Sequence, residues 1–584
     1  YAERLPIGLM DVVDNFEYKA LRDFYHDWYR TDLQAIAIVG DVDVDVIEKK
    51  IKEMFSNIPA VKNPKERFVV QIPDNKEMLY NLAMDDEVST ASISFGINHP
   101  KSLKNQTVAD LKTSLLKSMV TMMLSSRLNE IKQKPDAPFL GVGIGYGALA
   151  RSKNQFSSNI SPKEGMQQAA FKVVLEEINR AVKFGFTKAE IDRVIKQYTN
   201  FYQTQIKKES DKPHGSIINT IQQNYLENET MTDVTKEFAL AKEIMNVVTV
   251  TDLHETIKNL YTQENRILNV TGVKGKNNLT QELALSTITA VENDNNLTAY
   301  ADDFGNKTLM SGINLKKGSI VSEVLNNETG ATVFTLSNGV KVHYKFVDKN
   351  KDDVQFLASS KGGTSLLNDS DLPSSNLLGN LVQMSGLGDY SATDLPKILA
   401  GKTARTSVGL SDLNEIISGN SVTKDVETLM QMIYLRFEKP RFDEDAFNVL
   451  QENITNYLAR RSKDVNEKMR DSVTTTLYGI NNPKRPIFNL DMVKKVSFDN
   501  IKSIYTERFN NVADFNVFVV GDVKKETIKP LLEKYIASIS SSENREHWKN
   551  NSESWVSTTI DKDIFLKMED PKSTVRIGYK NDFK

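Results

Sequence analysis

Histidines are the first residues to test for chemistry in a chain without cysteine. There are six: His26, His99, His214, His254, His343 and His547. A helical zinc site needs two imidazoles on one face, at i and i+4, with a carboxylate to activate the bound water. No two of the six stand close enough for that. His254-Glu255 opens the run HETIK, but its fifth position is Lys258, so the pattern fails. Each histidine therefore reads as solvated or structurally satisfied. The absence of cysteine removes disulfides, thiolate metal centres and a cysteine nucleophile. The run Gly141–Ala150, GVGIGYGALA, places glycine at alternate positions, and the third glycine of a dinucleotide fingerprint would be Tyr146. It reads instead as a glycine-alternating strand packed closely on a helix. No phosphate-binding G-x-x-x-x-G-K-[ST] and no nucleophile elbow G-x-S-x-G occurs. The 74 basic and 77 acidic residues leave a formal charge of -3, which excludes a generally basic nucleic-acid binder.

At 584 residues the chain is long enough for about three to five domains. Apolar residues at Phe16, Ala20, Leu21, Phe24, Tyr25 and Trp28 recur at helical spacing, and the aromatic members read as core. Leu33–Asp41 reads as a buried strand ending at a glycine. Ile47, Ile51, Met54 and Phe55 then stripe a second helix, with Asp43 or Asp45 as its N-cap. Further on come a strand at Ser92–Ile97, long helices at Thr107–Lys132 and Pro162–Lys183, a capping box from Thr187 and Glu190, and a strand at Ile267–Val273. Residues 274–330 are polar and Asn-rich, which predicts a long linker. Asn338-Gly339 between alternating apolar residues predicts a hairpin. STVRIGY, near the end, reads as another strand. No apolar run approaches the roughly 18 residues a membrane helix needs.

The chain also repeats itself. HDWYRTDLQAIAIVGDV (His26–Val42) resembles ERFNNVADFNVFVVGDV (Glu507–Val523), so that Gly40-Asp41 maps to Gly521-Asp522 at an offset of 481. DEVSTASI from Asp86 resembles DPKSTVRI from Asp570, and FTKAEIDRVI from Phe186 resembles FDEDAFNVLQ from Phe442. The first two matches run in one order at nearly equal offsets, 481 and 484, and point to duplication. The third, at an offset of 256, makes the second and third domains look like versions of one fold. The expected fold class is α+β: tandem homologous two-layer α/β domains in two halves joined by a long linker. The expected boundaries are 1–66 (remainder of a first domain), 67–273 (second), 274–330 (linker), 331–545 (third, a repeat of the first) and 546–584 (start of a fourth). The offsets further predict a parent of about 900 residues.

Several segments taken in order resemble zinc metallopeptidases of the insulinase and pitrilysin type. They are YAERLPIG, the helix ending FYHDWYR, LQAIAIVGD, TLSNGVKVHYK, KGGTSLL, LVQMSGLGDYSATDLPKILAGK and LMQMIYLRFEKPRFDEDAF. The resemblance implies a clamshell of four related domains around a chamber, with endopeptidase activity on peptides or unfolded polypeptides. It also implies an inverted H-x-x-E-H zinc motif, which this chain lacks. In LPSSNLLGNLVQMSG the motif positions fall on Asn376, Gly379 and Asn380. Asparagine amides are poor zinc ligands and glycine offers no base, so this half is expected to bind no metal. By the offset, the authentic motif lies about 105 residues before Tyr1. Zinc belongs to the parent, and this chain is expected to be inactive alone, with the missing N-terminal catalytic portion and a polypeptide substrate as its partners. The family's substrate-holding arginine and tyrosine lie in its last domain. Only the start of that domain is present, so Arg576 and Tyr579 take no role and substrate-binding residues stay unassigned. The resemblance favours periplasm or cell envelope and leaves the cytoplasm open. The rival reading is a non-catalytic scaffold or partner subunit of the same fold.

Overall fold

Local sequence signals set most of the elements. Thr107 and Asp110 close a capping box on the helix Val108–Lys132, and Thr187 and Glu190 do the same for the helix Lys188–Lys207. Asp43 accepts from the Val46 amide at 3.0 Å and caps the helix Val44–Phe55. Asn338-Gly339 makes the predicted hairpin, with the Leu336 amide bonded to the Val340 carbonyl and Gly339 at φ +85°. The computed structural model describes residues 8–581 apart from 86–87, 89, 103–105, 303–306, 463, 481, 566 and 568–571. Asp86, Asp570 and part of each octapeptide they open thus lie outside the described residues.

Among the described residues the architecture is α+β, with two sheets. The first sheet holds β1 (Leu79–Asp85), β2 (Ser92–Pro100), β3 (Phe139–Ala150), β4 (Lys153–Pro162) and β5 (Arg266–Val273), in the order β1-β5-β2-β4-β3. Only β1 and β5 run parallel. The helices Val108–Lys132, Gln167–Phe184 and Val250–Leu260 cover it, and their Met119, Phe171, Val174 and Leu253 meet Ile93, Phe95 and Leu268 in one core.

The second sheet holds β6 (Ile320–Asn326), β7 (Ala331–Leu336), β8 (Lys341–Phe346), β9 (Val354–Lys361), β10 (Ala404–Leu410), β11 (Asn414–Ser421) and β12 (Asn516–Gly521). Its order is β10-β11-β9-β12-β8-β7-β6, and β12 enters between β9 (antiparallel) and β8 (parallel). The helix Val426–Glu438 packs Leu429, Ile433 and Leu435 onto this sheet. The apolar clusters of the first unit span residues 78–291 and that of the second spans 309–539; none draws on both.

Several expectations differ from the structure. Residues 34–39 form no strand and pair with none among the described residues, and Ile36 and Ile38 are 48% and 46% exposed. The helix Tyr18–Trp28 buries no residue, and Phe24 and Tyr25, expected in a core, are more than half exposed. A strand needs neighbours and an amphipathic helix needs a surface; this stretch finds neither among the described residues. The expected linker is more ordered than its composition suggested: Thr280 caps the helix Gln281–Glu292, which buries Ala284, Ile288 and Val291, and β6 joins the second sheet. STVRIGY forms no strand, and Val575, Ile577 and Tyr579 are exposed.

Candidate functional site

The residues aligned with the zinc motif lie between β9 and β10. Leu372–Ser375 and Leu378–Met384 are separate short helices, broken at Asn376 and Leu377. Asn376 is exposed and its Nδ2 donates to the Leu372 carbonyl at 2.7 Å. Asn380 is also exposed. Between them, Gly379 faces β10 so closely that a Cβ there would sit 2.8 Å from the Val408 carbonyl oxygen. The three positions therefore do not fit a zinc ion: the amides are poor ligands, and the middle position has no room for the first carbon of a side chain. Arg436 sits beneath this segment. Its guanidinium is buried and, among the described residues, bonds to Thr406 Oγ1 and to the Val382 and Gly386 carbonyls at the C-terminal end of Leu378–Met384. Burial pushes its pKa down.

The histidines are dispersed. His99 Nε2 contacts the Leu260 carbonyl at 3.1 Å, His254 Nε2 contacts the Val182 carbonyl at 2.8 Å, and His343 stacks on Phe518 with centroids 4.9 Å apart. No group of three metal-ligating side chains occurs among the described residues.

A second feature has no counterpart among the expected site residues. Among the described residues β3 is an edge strand, bonded to β4 on one side only. A Cβ added at Gly143, Gly145 or Gly147 would meet nothing within 4 Å, so the glycine stripe faces open space. The strand packs on the helix Val108–Lys132 as expected, but through Val142, Ile144 and Tyr146, and the glycines face away. Beside the strand lies a cavity of about 350 Å³ lined by Met122, Ser125, Asn129, Ile144 and Gln197. The alternation was visible in sequence, but it gave no sign that this strand would be an edge.

Polar groups join the two units. Lys207 meets Asp352 at 2.9 Å, Lys163 meets Glu452 at 2.6 Å, and Asn200 donates to Thr403 Oγ1 at 2.5 Å. Glu130 accepts from Tyr300 at 2.8 Å and from Lys397 at 2.9 Å. Arg127, buried, grips Glu190 through two nitrogens at 2.7 and 2.9 Å, reaches Glu177 at 3.1 Å, and lies 4.3 Å from the Tyr300 ring centroid. Burial first, and then Glu130, pushes the Tyr300 pKa up.

Comparison with known proteins bears on this arrangement. A family model described as the Peptidase M16 inactive domain matches residues 15–198. The probable zinc protease PqqL of Haemophilus influenzae is 22% identical over 94% of the chain and 59% of its own length. That of Escherichia coli is 21% identical over 93% and 58%. Among solved structures, the ferredoxin protease FusC (an E83A mutant in complex with Arabidopsis ferredoxin) superposes with a TM-score of 0.56 at 17% identity, covering 93% of this chain and 60% of that one. The chain has the insulinase/pitrilysin-type fold. It spans about 59% of the first curated relative it matches. Within this fold the repeat has a structural reading. Gly521 is at φ +141°, and a Cβ there would lie 2.1 Å from the Asp353 carbonyl, so β12 must end in glycine to pass its neighbour. Gly40, its repeat mate, meets nothing within 4 Å. The surroundings are closed at Gly521 and open at Gly40.

Proposed function

We propose that this chain supplies non-catalytic, substrate-holding walls of a zinc endopeptidase acting on peptides or unfolded polypeptides, with zinc and general base furnished by a catalytic portion outside residues 1–584. The observation that carries this reading is the free edge of β3. An edge strand offers a row of backbone donors and acceptors, and extended polypeptide adds to such an edge through main-chain bonds that ignore sequence. Glycines facing open space let a guest backbone lie close. The lack of fit at Asn376, Gly379 and Asn380 supports a non-catalytic role for the second unit. The relatives named as zinc proteases support zinc chemistry in the parent.

The open repeat at residues 16–58 supports the partner assignment. Its exposed Leu21, Phe24, Ile36, Ile38 and Phe55 form an apolar surface of the kind that its repeat mate buries in the second sheet. In this reading, strands of the catalytic portion receive residues 34–39 as β8 and β9 receive β12. The same surface would serve a non-catalytic scaffold equally, and peptide binding separates the readings.

The test is fluorescence anisotropy of a capped, extended Thr/Val peptide on the intact chain, beside an analogue N-methylated at alternate residues. Binding that the methylated analogue loses, without cleavage when zinc is added, is the expected result. Equal behaviour of the two peptides would remove β3 as the holding edge, and cleavage by the chain alone would remove the division of labour.

A further inference from the structure

Tyr146 stands between Gly145 and Gly147 on β3, and its hydroxyl is one corner of a small triangle. Tyr146 OH lies 2.9 Å from Ser102 Oγ, just beyond the end of β2, and 3.0 Å from Lys117 Nζ on the helix Val108–Lys132. Lys117 Nζ lies 3.1 Å from Ser102 Oγ and 4.2 Å from the centroid of the Tyr146 ring. All three side chains are half-buried, so solvent and solutes reach them. Unlike the neighbouring lysines, Lys117 lacks a carboxylate partner among the described residues: Lys101 has Glu227 at 3.2 Å and Lys153 has Asp74 at 2.5 Å.

The donor count leaves an excess. The ammonium has three N–H groups and gives two to the hydroxyls. One hydroxyl donates to the other. One N–H and one O–H remain beside a positive charge, with no acceptor among the described residues. A half-buried ammonium satisfied only by hydroxyls keeps its full charge to offer, and charge-assisted bonds to an oxyanion are stronger than neutral ones.

We propose that Lys117, Ser102 and Tyr146 form an oxyanion site that takes the carboxylate of an acidic side chain on an extended peptide. The proposal rests on the reading of β3 as a peptide-holding edge, because Tyr146 belongs to that strand. It adds a preference to it: main-chain bonding at the edge is blind to sequence, and the triangle selects glutamate or aspartate at one register. A carboxylate accepts the spare N–H and O–H together, whereas a neutral amide gains no charge term and brings donors where acceptors are wanted.

The experiment uses the intact chain and two capped Thr/Val peptides that differ only in one central residue, glutamate or glutamine. The expected result is binding about five- to ten-fold tighter for the glutamate peptide, a gap that Lys117→Met abolishes and Tyr146→Phe reduces. In the unsubstituted chain, acylation footprinting by mass spectrometry provides an arm that needs no variant and no edge. Inorganic phosphate should slow acylation of Lys117 and leave Lys49, on the exposed helix Val44–Phe55, unchanged. Equal binding of both peptides, with no protection by phosphate, overturns the site and leaves the edge standing. Protection by phosphate, with neither peptide bound, keeps the oxyanion site and removes the edge. Binding of neither peptide, with no protection by phosphate, overturns both.

Discussion

A Cβ on Gly379 would stand 2.8 Å from the carbonyl oxygen of Val408. That single distance separates this half of the molecule from a working metal site more firmly than the missing histidines do. Ligands can be supplied by substitution, but room cannot. The triple change Asn376→His, Gly379→Glu, Asn380→His is expected to yield no stoichiometric zinc binding by calorimetry. Gly379→Glu alone should destabilise the second unit by about 1–3 kcal/mol through overpacking, seen as a lower midpoint in urea. Tight zinc binding with unchanged stability would refute this account.

The Arg127 cluster gives a larger effect. Arg127→Met leaves Glu177 and Glu190 buried without their shared cation. Removing one partner of a buried ion group costs about 3–5 kcal/mol, mostly as uncompensated charge. Chemical denaturation should show that loss in the first unit. Tyr300→Phe, which removes one bond to Glu130, should cost far less.

The polar seam between the units sets the pattern of unfolding. Because no apolar cluster is shared, calorimetry should resolve two transitions rather than one. The seam pairs are partly buried, with at least one member of each reaching solvent, and salt screens them in part. Raising sodium chloride should therefore loosen the coupling between the transitions and leave each core's own stability nearly unchanged. A single transition that persists at high salt would contradict a polar seam.

A pH dependence follows from His99. Burial holds its imidazole below the usual histidine range. Lys117 from the covering helix and Lys153 from β4 add repulsion, against a raising bond to the Leu260 carbonyl; Tyr146 of β3 is the aromatic neighbour. Protonation is disfavoured in the fold, so the unfolded chain takes up the proton first. The contribution is present in full above the unfolded value of roughly 6.5 and is lost as the pH falls below it. Stability measured between pH 7.5 and 5 should fall less steeply in His99→Gln than in the parent sequence.

What the sequence disclosed was whatever local chemistry decides. Thr187 and Glu190, Asn338-Gly339 and Asp43 each act within four residues, and each reading matched the structure. The α+β class followed from the repeat. The misreadings all depended on distant partners. LQAIAIV has the composition of a central strand, but its state is set by neighbours the described residues do not provide. The helix Gln281–Glu292 was hidden in an Asn-rich stretch because only Ala284, Ile288 and Val291 mark its buried face. The glycines of β3 announced a strand but not which side of it stays open, and the hydroxyls around Lys117 come from segments more than ten residues apart in sequence.

The position of β12 has a consequence for synthesis of the chain. β8 and β9 lie in the same sheet, yet neither borders the other, because β12 occupies the space between them. A ribosome that has completed Lys361 must translate roughly 160 further residues before Gly521 emerges, which takes on the order of 10–30 s. During that interval the two strands flank an empty slot. Premature closure would join them to each other and bar β12 from entry. The nascent chain therefore passes through a stage at which a trigger-type chaperone or slow elongation would raise the yield of correctly threaded sheet.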